Sequence, residues 1–259
     1  VCSHLRVPWQ KSGFSQPDEK STTVTKAIES CLAGMSQVKS STESGVPCFI
    51  FFGTNERVNG KLAKAAAASA EVRSLFGAEG KVLKFYIAAK FFNCVDVDLT
   101  SVDEKTSRVL CSENAPIIVL TDKEGRVAAM LAGPGQCKER NIYSAMCSTL
   151  GKCGFRNVSA TISKIEKLMK KELYGAVRTM LWSGDGVAIC RSAIAAVKSK
   201  KGSESSKSRA IKKQEDGIEK IKAQVAEAKI TQYKVLKTEY DLLKAAGLPE
   251  DRLPKEPKK

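Results

Sequence analysis

The sequence predicts an α/β domain followed by an all-helical extension, on three observations. Short β-rich apolar runs at 47–52, 93–98 and 116–120 are separated by segments with helical spacing. Asp122-Lys123-Glu124-Gly125 is a hairpin turn between two apolar runs. Beyond residue 158 the strand pattern stops, and apolar residues recur at steps of three and four.

Each element follows in order. Residues 1–20 are polar, with Pro8, Gly13 and Pro17, and read as an extended arm anchored by Trp9. Ser21-Thr22-Thr23 offers an N-cap. Val24, Ile28, Cys31, Met35 and Val38 then mark one face of a helix over about 23–39, and a Ser/Thr/Gly loop at 40–45 ends it. The continuous apolar run 47–52 suits a strand buried on both faces. Residues 60–76 are Ala-rich and helical, with Leu62, Ala65, Ala68, Val72 and Leu75 as the stripe. Residues 81–88 read as a strand or a short extension, 93–98 as a strand, and 101–110 as a helix with Asp103 and Glu104 near its positive end. A strand at 116–120, the turn and an antiparallel partner at 126–132 make a hairpin. Gly133-Pro134-Gly135 is a loop and 141–150 a closing helix. A right-handed βαβ unit, a hairpin and a last helix make a three-layer sandwich.

The order α, β, α, β, α, β, β, α resembles the thioredoxin superfamily. So do Phe51-Phe52-Gly53, Asp96-Val97-Asp98, Asn114-Ala115-Pro116, and the 122–125 turn followed by Gly133. The leading stretch, with Trp9, an amphipathic helix and Gly45-Val46-Pro47, resembles the exported thioredoxin-like branch. The resemblance covers a little over half of the chain. It implies a cis-proline at Pro116 and a peptide- or partner-binding face made of Glu56, Arg57, Asn114, Ala115 and Pro116. It also places the Cys-x-x-Cys slot on about Glu56 to Asn59, where no cysteine stands. Dithiol exchange needs a thiolate at a helix start and a second cysteine to resolve the mixed disulfide. The domain is therefore expected to be redox-inactive.

Other chemistry is poorly supplied. Nine cysteines stand at 2, 31, 48, 94, 111, 137, 147, 153 and 190, an odd number with no CxxC among them. Cys31 and Cys48 lie in apolar runs as core residues. A structural Cys94–Cys111 bridge and a Cys147–Cys153 staple are conceivable. His4 is the lone histidine, which argues against zinc sites and against Cys-His or Ser-His-Asp catalysis. No cofactor or metal is expected.

The last third carries the charge. The 259-residue chain has a net charge of +15, of which residues 1–160 hold +5 and residues 161–259 hold +10. Such an excess can meet nucleic acid, anionic lipid or an acidic protein surface, or it can be a solvated helix face. Over 158–182 an amphipathic helix carries Ile162, Ile165, Met169, Leu173, Val177 and Met180, with Lys164, Lys167, Lys170 and Lys171 opposite. Ser183-Gly184-Asp185-Gly186 reads as a turn and 187–197 as a second helix, so that 156–200 is a helical hairpin. A polar linker at 198–207 leads to a long helix at about 208–246, on the order of 55 Å long. Its seam is Ile211, Ile218, Ile221 and Val225, resumed by Tyr233, Leu236, Tyr240 and Leu243 after a shift near Lys229. Such a seam needs a partner, either the 158–197 hairpin or another chain. Gly247 and Pro249 stop the helix, and a Pro/Lys-rich tail is expected to be loose.

The expected organisation is therefore an arm (1–20), an α/β domain (21–155), a helical hairpin (156–200) and a linker, long basic helix and tail (201–259). The expected function is a binding or scaffold subunit of a larger assembly, through a protein partner or a homo-oligomer. The alternatives are a thiol-disulfide oxidoreductase using cysteines outside a CxxC, and nucleic-acid binding through the basic helices. No run of about 18 apolar residues marks a transmembrane helix. A start at Val1 fits a removed targeting peptide or a piece of a longer chain. Together with the exported-branch resemblance it points to an extracytoplasmic setting, although the scattered cysteines suit a reducing cytosol equally.

Overall fold

A computed structural model describes residues 9–11, 23–54, 61–76, 83–102, 104–111 and 114–258. It is mixed α/β, with a five-stranded sheet and a long C-terminal helical region. The chain divides into two compact units: 1–163 with 245–252, and 164–244 with 253–259.

In the first unit, β2 (Cys48–Gly53) is the central strand, and all six of its residues are buried. It runs parallel to β3 (Asn93–Asp98) and antiparallel to β4 (Ile117–Thr121). β5 (Val127–Ala132) closes one edge, and β1 (Gln10–Lys11) lies parallel to β3 at the other. Ile50 faces Val95 on one neighbour and Val119 on the other. Alternation along the strands then sorts the core into two halves. Ile50, Phe52, Val95, Val97, Ile117 and Val119 pack with Ile28, Cys31, Leu32, Met35, Val38 and Leu110. Phe49 and Phe51 point the other way. The arm returns through Trp9, whose ring lies 5.7 Å from Phe49, 6.3 Å from Phe51 and 5.5 Å from Phe76. Of the expected arm at 1–20 only residues 9–11 are described; there Trp9 packs on the aromatic face and Gln10–Lys11 add a short edge strand.

The helices of this unit differ in detail from the sequence reading. Thr23 caps α1 (Val24–Gly34), its hydroxyl accepting from the Lys26 N–H. The predicted single helix breaks at buried Met35, which is extended, and resumes as α2 (Ser36–Ser44). The serines expected to form a loop are therefore helical, and the stop falls at Gly45 in the left-handed region. In α3 (Lys61–Leu75) the buried stripe is Ala65, Ala66, Ser69 and Val72, leaving Ala68 and Leu75 half-buried. The segment read as a strand or extension is a helix, α4 (Leu83–Ala89). Three successive buried residues, Ile87, Ala88 and Ala89, do not suit a strand with one wet face. α4 is tied to α7 (Glu139–Lys152) by Lys84–Glu139 at 2.8 Å and by the Phe85 and Tyr143 rings. α5 (Glu104–Cys111) precedes β4. At the hairpin turn, the Asp122 carboxylate accepts from the N–H groups of Glu124 and Arg126. The expected loop at 133–135 is one helical turn, α6 (Gly133–Gln136), with Pro134 tolerated in the first turn.

The second unit corrects the expected hairpin. α8 (Val158–Leu168) leads through a π-helical turn at Met169–Leu173 into α9 (Tyr174–Ser199). Ser183-Gly184-Asp185-Gly186 is not a turn; the helix runs straight through it. Gly186 serves helix packing instead: a Cβ there would lie 3.0 Å from Ile221 Cδ1 on α10 (Glu204–Ala245). A Cβ added at Gly217 on α10 would likewise lie 3.5 Å from Cys190 Sγ. The linker shortens to residues 200–203. The α10 seam does not shift near Lys229. It continues in steps of three, seven and four from Val225 through Ala228, Val235 and Glu239, and the last three of these are buried. Leu243 is buried too, while Tyr233, Leu236 and Tyr240 are half-buried beside this line.

The tail is not loose. Gly247, at φ 93°, ends α10. Ala246 and Leu248 are buried in the first unit, where the Ala246 carbonyl accepts from the Arg156 N–H at 3.0 Å. Arg252 donates to the Phe92 carbonyl at 2.7 Å. In the second unit, Lys237 pairs with Glu256 at 2.8 Å. No helix among the described residues is long and apolar enough to cross a membrane.

Candidate functional site

The register sets which residues meet at each end of the sheet. Phe52 pairs with Ile117, so the Ala115-Pro116 step lies beside the Gly53 end of β2. Of the residues expected on this face, Glu56, Arg57 and the whole 56–59 slot lie outside the described residues. Asn114, Ala115 and Pro116 are present. The Ala115–Pro116 bond is cis, Ala115 and Pro116 are buried, and Asn114 is half-buried. Gly133 closes on this step, its N–H shared between the Asn114 carbonyl at 2.6 Å and the Pro116 carbonyl at 2.9 Å. The left-handed backbone of Gly133 (φ 79°) permits this.

One residue at this end was missed by sequence reasoning. Cys137 lies 3.3 Å from the Pro116 carbonyl and 3.4 Å from that of Leu131, and its thiol donates to them. The signal was its spacing: four residues past Gly133, one helical turn brings it back over the Pro116 step. Burial pushes the thiol up to about 11, against the help of the Ile118 backbone.

A second polar group sits on the aromatic face of the sheet. Arg73 from α3 pairs with Asp96 of β3 at 2.9 Å and lies over the Phe51 ring at 4.9 Å. Asp96 was read as a strand residue, and its ion pair was not legible because Arg73 lies 23 residues away. Ser69 accepts from the Thr54 N–H at 3.2 Å and donates to the Ala65 carbonyl, so the strand end is tied to α3.

The opposite end of the sheet holds the other thiols. Cys48 lies 2.9 Å from the Ser41 hydroxyl, which accepts from the Asn93 amide at 2.6 Å. Burial raises Cys48, against Ser41, Thr121 and Arg252, which favour the thiolate. Burial pushes Cys94 up to about 12 despite Arg252 nearby. Desolvation likewise raises Cys147 and Cys153. None of these thiols is bridged. Cys94 is a buried thiol beside the Ala89 carbonyl, and the Cys111 side chain lies outside the described residues. The Cys147–Cys153 staple is not formed. Six residues along a helix set the two side chains about 120° apart around the axis and about 9 Å apart along it.

Among the described residues, no group of three or more His, Cys, Asp or Glu side chains could hold a metal ion. Of the helical-interface candidates, Ile218, Ile221, Val225, Tyr233, Leu236 and Tyr240 are half-buried and Leu243 is buried. The large apolar side chains that do face solvent in the second unit are Leu181, Trp182, Ile189 and Ile230. No family model, no curated protein and no solved structure matches this chain.

Proposed function

We propose that the chain is a redox-inactive, thioredoxin-like module joined to a helical arm, and that it acts as a binding or scaffold subunit of a larger assembly. The observation that carries this is the state of the thiols. Every described cysteine whose pKa departs from the ordinary value is raised, with desolvation as the largest cause. Exchange chemistry needs the reverse. The thioredoxin-like part of the reading draws on the strand order β1-β3-β2-β4-β5, the cis step at Pro116 and the absence of cysteine from 56–59. Nucleic-acid binding has less support, because the lysines of α10 are interspersed with acids and paired with them, as in Lys222–Glu219 and Lys237–Asp241.

A disulfide-reductase assay tests the reading, with a peptide disulfide as substrate and dithiothreitol as electron source. The expected rate equals that of dithiothreitol alone. A rate that rises with protein concentration overturns the proposal in favour of a thiol enzyme.

A further inference from the structure

α9 is the most apolar of the long helices and the least covered. Only Ala176 of its 26 residues is buried. Leu181 is 58% exposed, Trp182 67% and Ile189 68%. From Thr179 to Cys190 the single ionised residue is Asp185, in a unit otherwise crowded with lysine. Solvated helix faces carry charge, and an exposed cluster of Trp, Leu and Ile marks an interaction surface. α10 does not cover this cluster. It meets α9 through Gly186 and Cys190, about 140° and 180° round the helix from Leu181 at 100° per residue, and leaves Leu181, Trp182 and Ile189 exposed.

The charges on the face say what covers it. Arg178 and Asp185 are both exposed, seven residues apart, and share the side that carries Leu181 and Ile189. When two such helices lie antiparallel with Leu181 opposite Trp182, Arg178 of each falls opposite Asp185 of the other. One alignment therefore buries the apolar side chains and pairs both charges twice. A parallel pairing sets like charge against like. Beside Trp182 runs a groove lined by Arg178, Thr179, Ser183, Gly186, Ile221 and Gln224. It lies on the α10 side of the helix, away from Leu181, and takes no part in this pairing. A patch whose exposed Arg178 and Asp185 pair with those of a second copy of itself is self-complementary, as a two-fold interface requires.

We infer that the exposed face of α9 docks a second copy of this chain, antiparallel about a two-fold axis at Leu181 and Trp182. This rests on the reading of the chain as a binding subunit and names its partner.

Sedimentation velocity of the full chain over a wide range of concentration tests it. The wild type is expected to be a dimer. Trp182→Asp is expected to be a monomer. Arg178→Asp and Asp185→Arg are each expected to weaken the dimer about tenfold or more, and the double variant to regain most of the loss. Circular dichroism checks that each variant keeps its helix content, since all three positions are exposed. A wild type that stays monomeric, a dimer untouched by these changes, or a double variant no better than the singles overturns the proposal. Failure of the binding reading itself shows separately, as disulfide turnover.

Discussion

β2 and α9 are both apolar segments, and the protein treats them in opposite ways. β2 is six residues long, lies between two strands and two helical layers, and buries every residue. α9 is 26 residues long and buries one. The difference lies in the neighbours each segment finds within its own chain. A central strand has partners on both edges and both faces, so its apolar side chains close the core of the first unit. Within its own unit α9 meets α10 through Gly186 and Cys190, and its Leu181, Trp182 and Ile189 are left exposed. The first unit therefore closes its apolar side chains into a core, while the second keeps an exposed apolar surface that is costly to hydrate.

The comparison is broken or sharpened most strongly by deleting one aromatic from each segment. Phe52→Ala should lower the stability of the first unit by about 3–5 kcal/mol, measured by urea unfolding, because the ring is fully buried. Trp182→Ala removes a larger side chain and should change the stability of the isolated monomer by no more than about 0.5 kcal/mol. A large loss at Trp182 in a monomer would mean that α9 is covered by its own chain. The next effect is at two glycines of α9. Gly186→Val drives a side chain into Ile221 and should cost about 1–3 kcal/mol. Gly184→Ala meets nothing within 4 Å and should stabilise the helix by about 1 kcal/mol. Thermal unfolding of the two variants should shift in opposite directions.

The smallest effect near neutrality is the pH dependence of the buried thiols. Cys94 ionises at about 12 in the folded chain against an ordinary 9.0. Its pKa is raised on folding, so its burial contributes in full below about pH 9, and that contribution is lost as pH rises toward 12. Stability should therefore fall with rising pH above 9. Cys94→Ala should flatten part of that slope in urea titrations at pH 8, 9 and 10.

Much of the first unit was legible in the sequence because its signals are local. The run 47–52, the Asn93–Asp98 alternation and the Asp122–Gly125 turn each fix an element within a few residues. The segment 83–89 misled because Leu83, Phe85 and Ile87 alternate as a strand would, and only the neighbouring α7 shows that Ala88 and Ala89 are also buried. Gly184 and Gly186 misled for a related reason. Two glycines near an aspartate read as a turn, while the need for Gly186 comes from Ile221, 35 positions away in sequence. The candidate site divides the same way. Pro116 was legible from its resemblance. The Cys137 contact and the Arg73–Asp96 pair required the fold to bring distant residues together.

If the chain is the redox-inactive binding subunit proposed, its buried thiols are unreactive while it is folded. The most direct measurement is mass spectrometry of the intact native chain after brief alkylation at pH 6, with sites assigned by proteolysis. The account predicts that Cys48, Cys94 and Cys137 stay unlabelled until the chain is denatured, and that no cysteine forms a mixed disulfide with a peptide disulfide. A cysteine alkylated faster than free cysteine at that pH, and trapped in such a mixed disulfide, would contradict it.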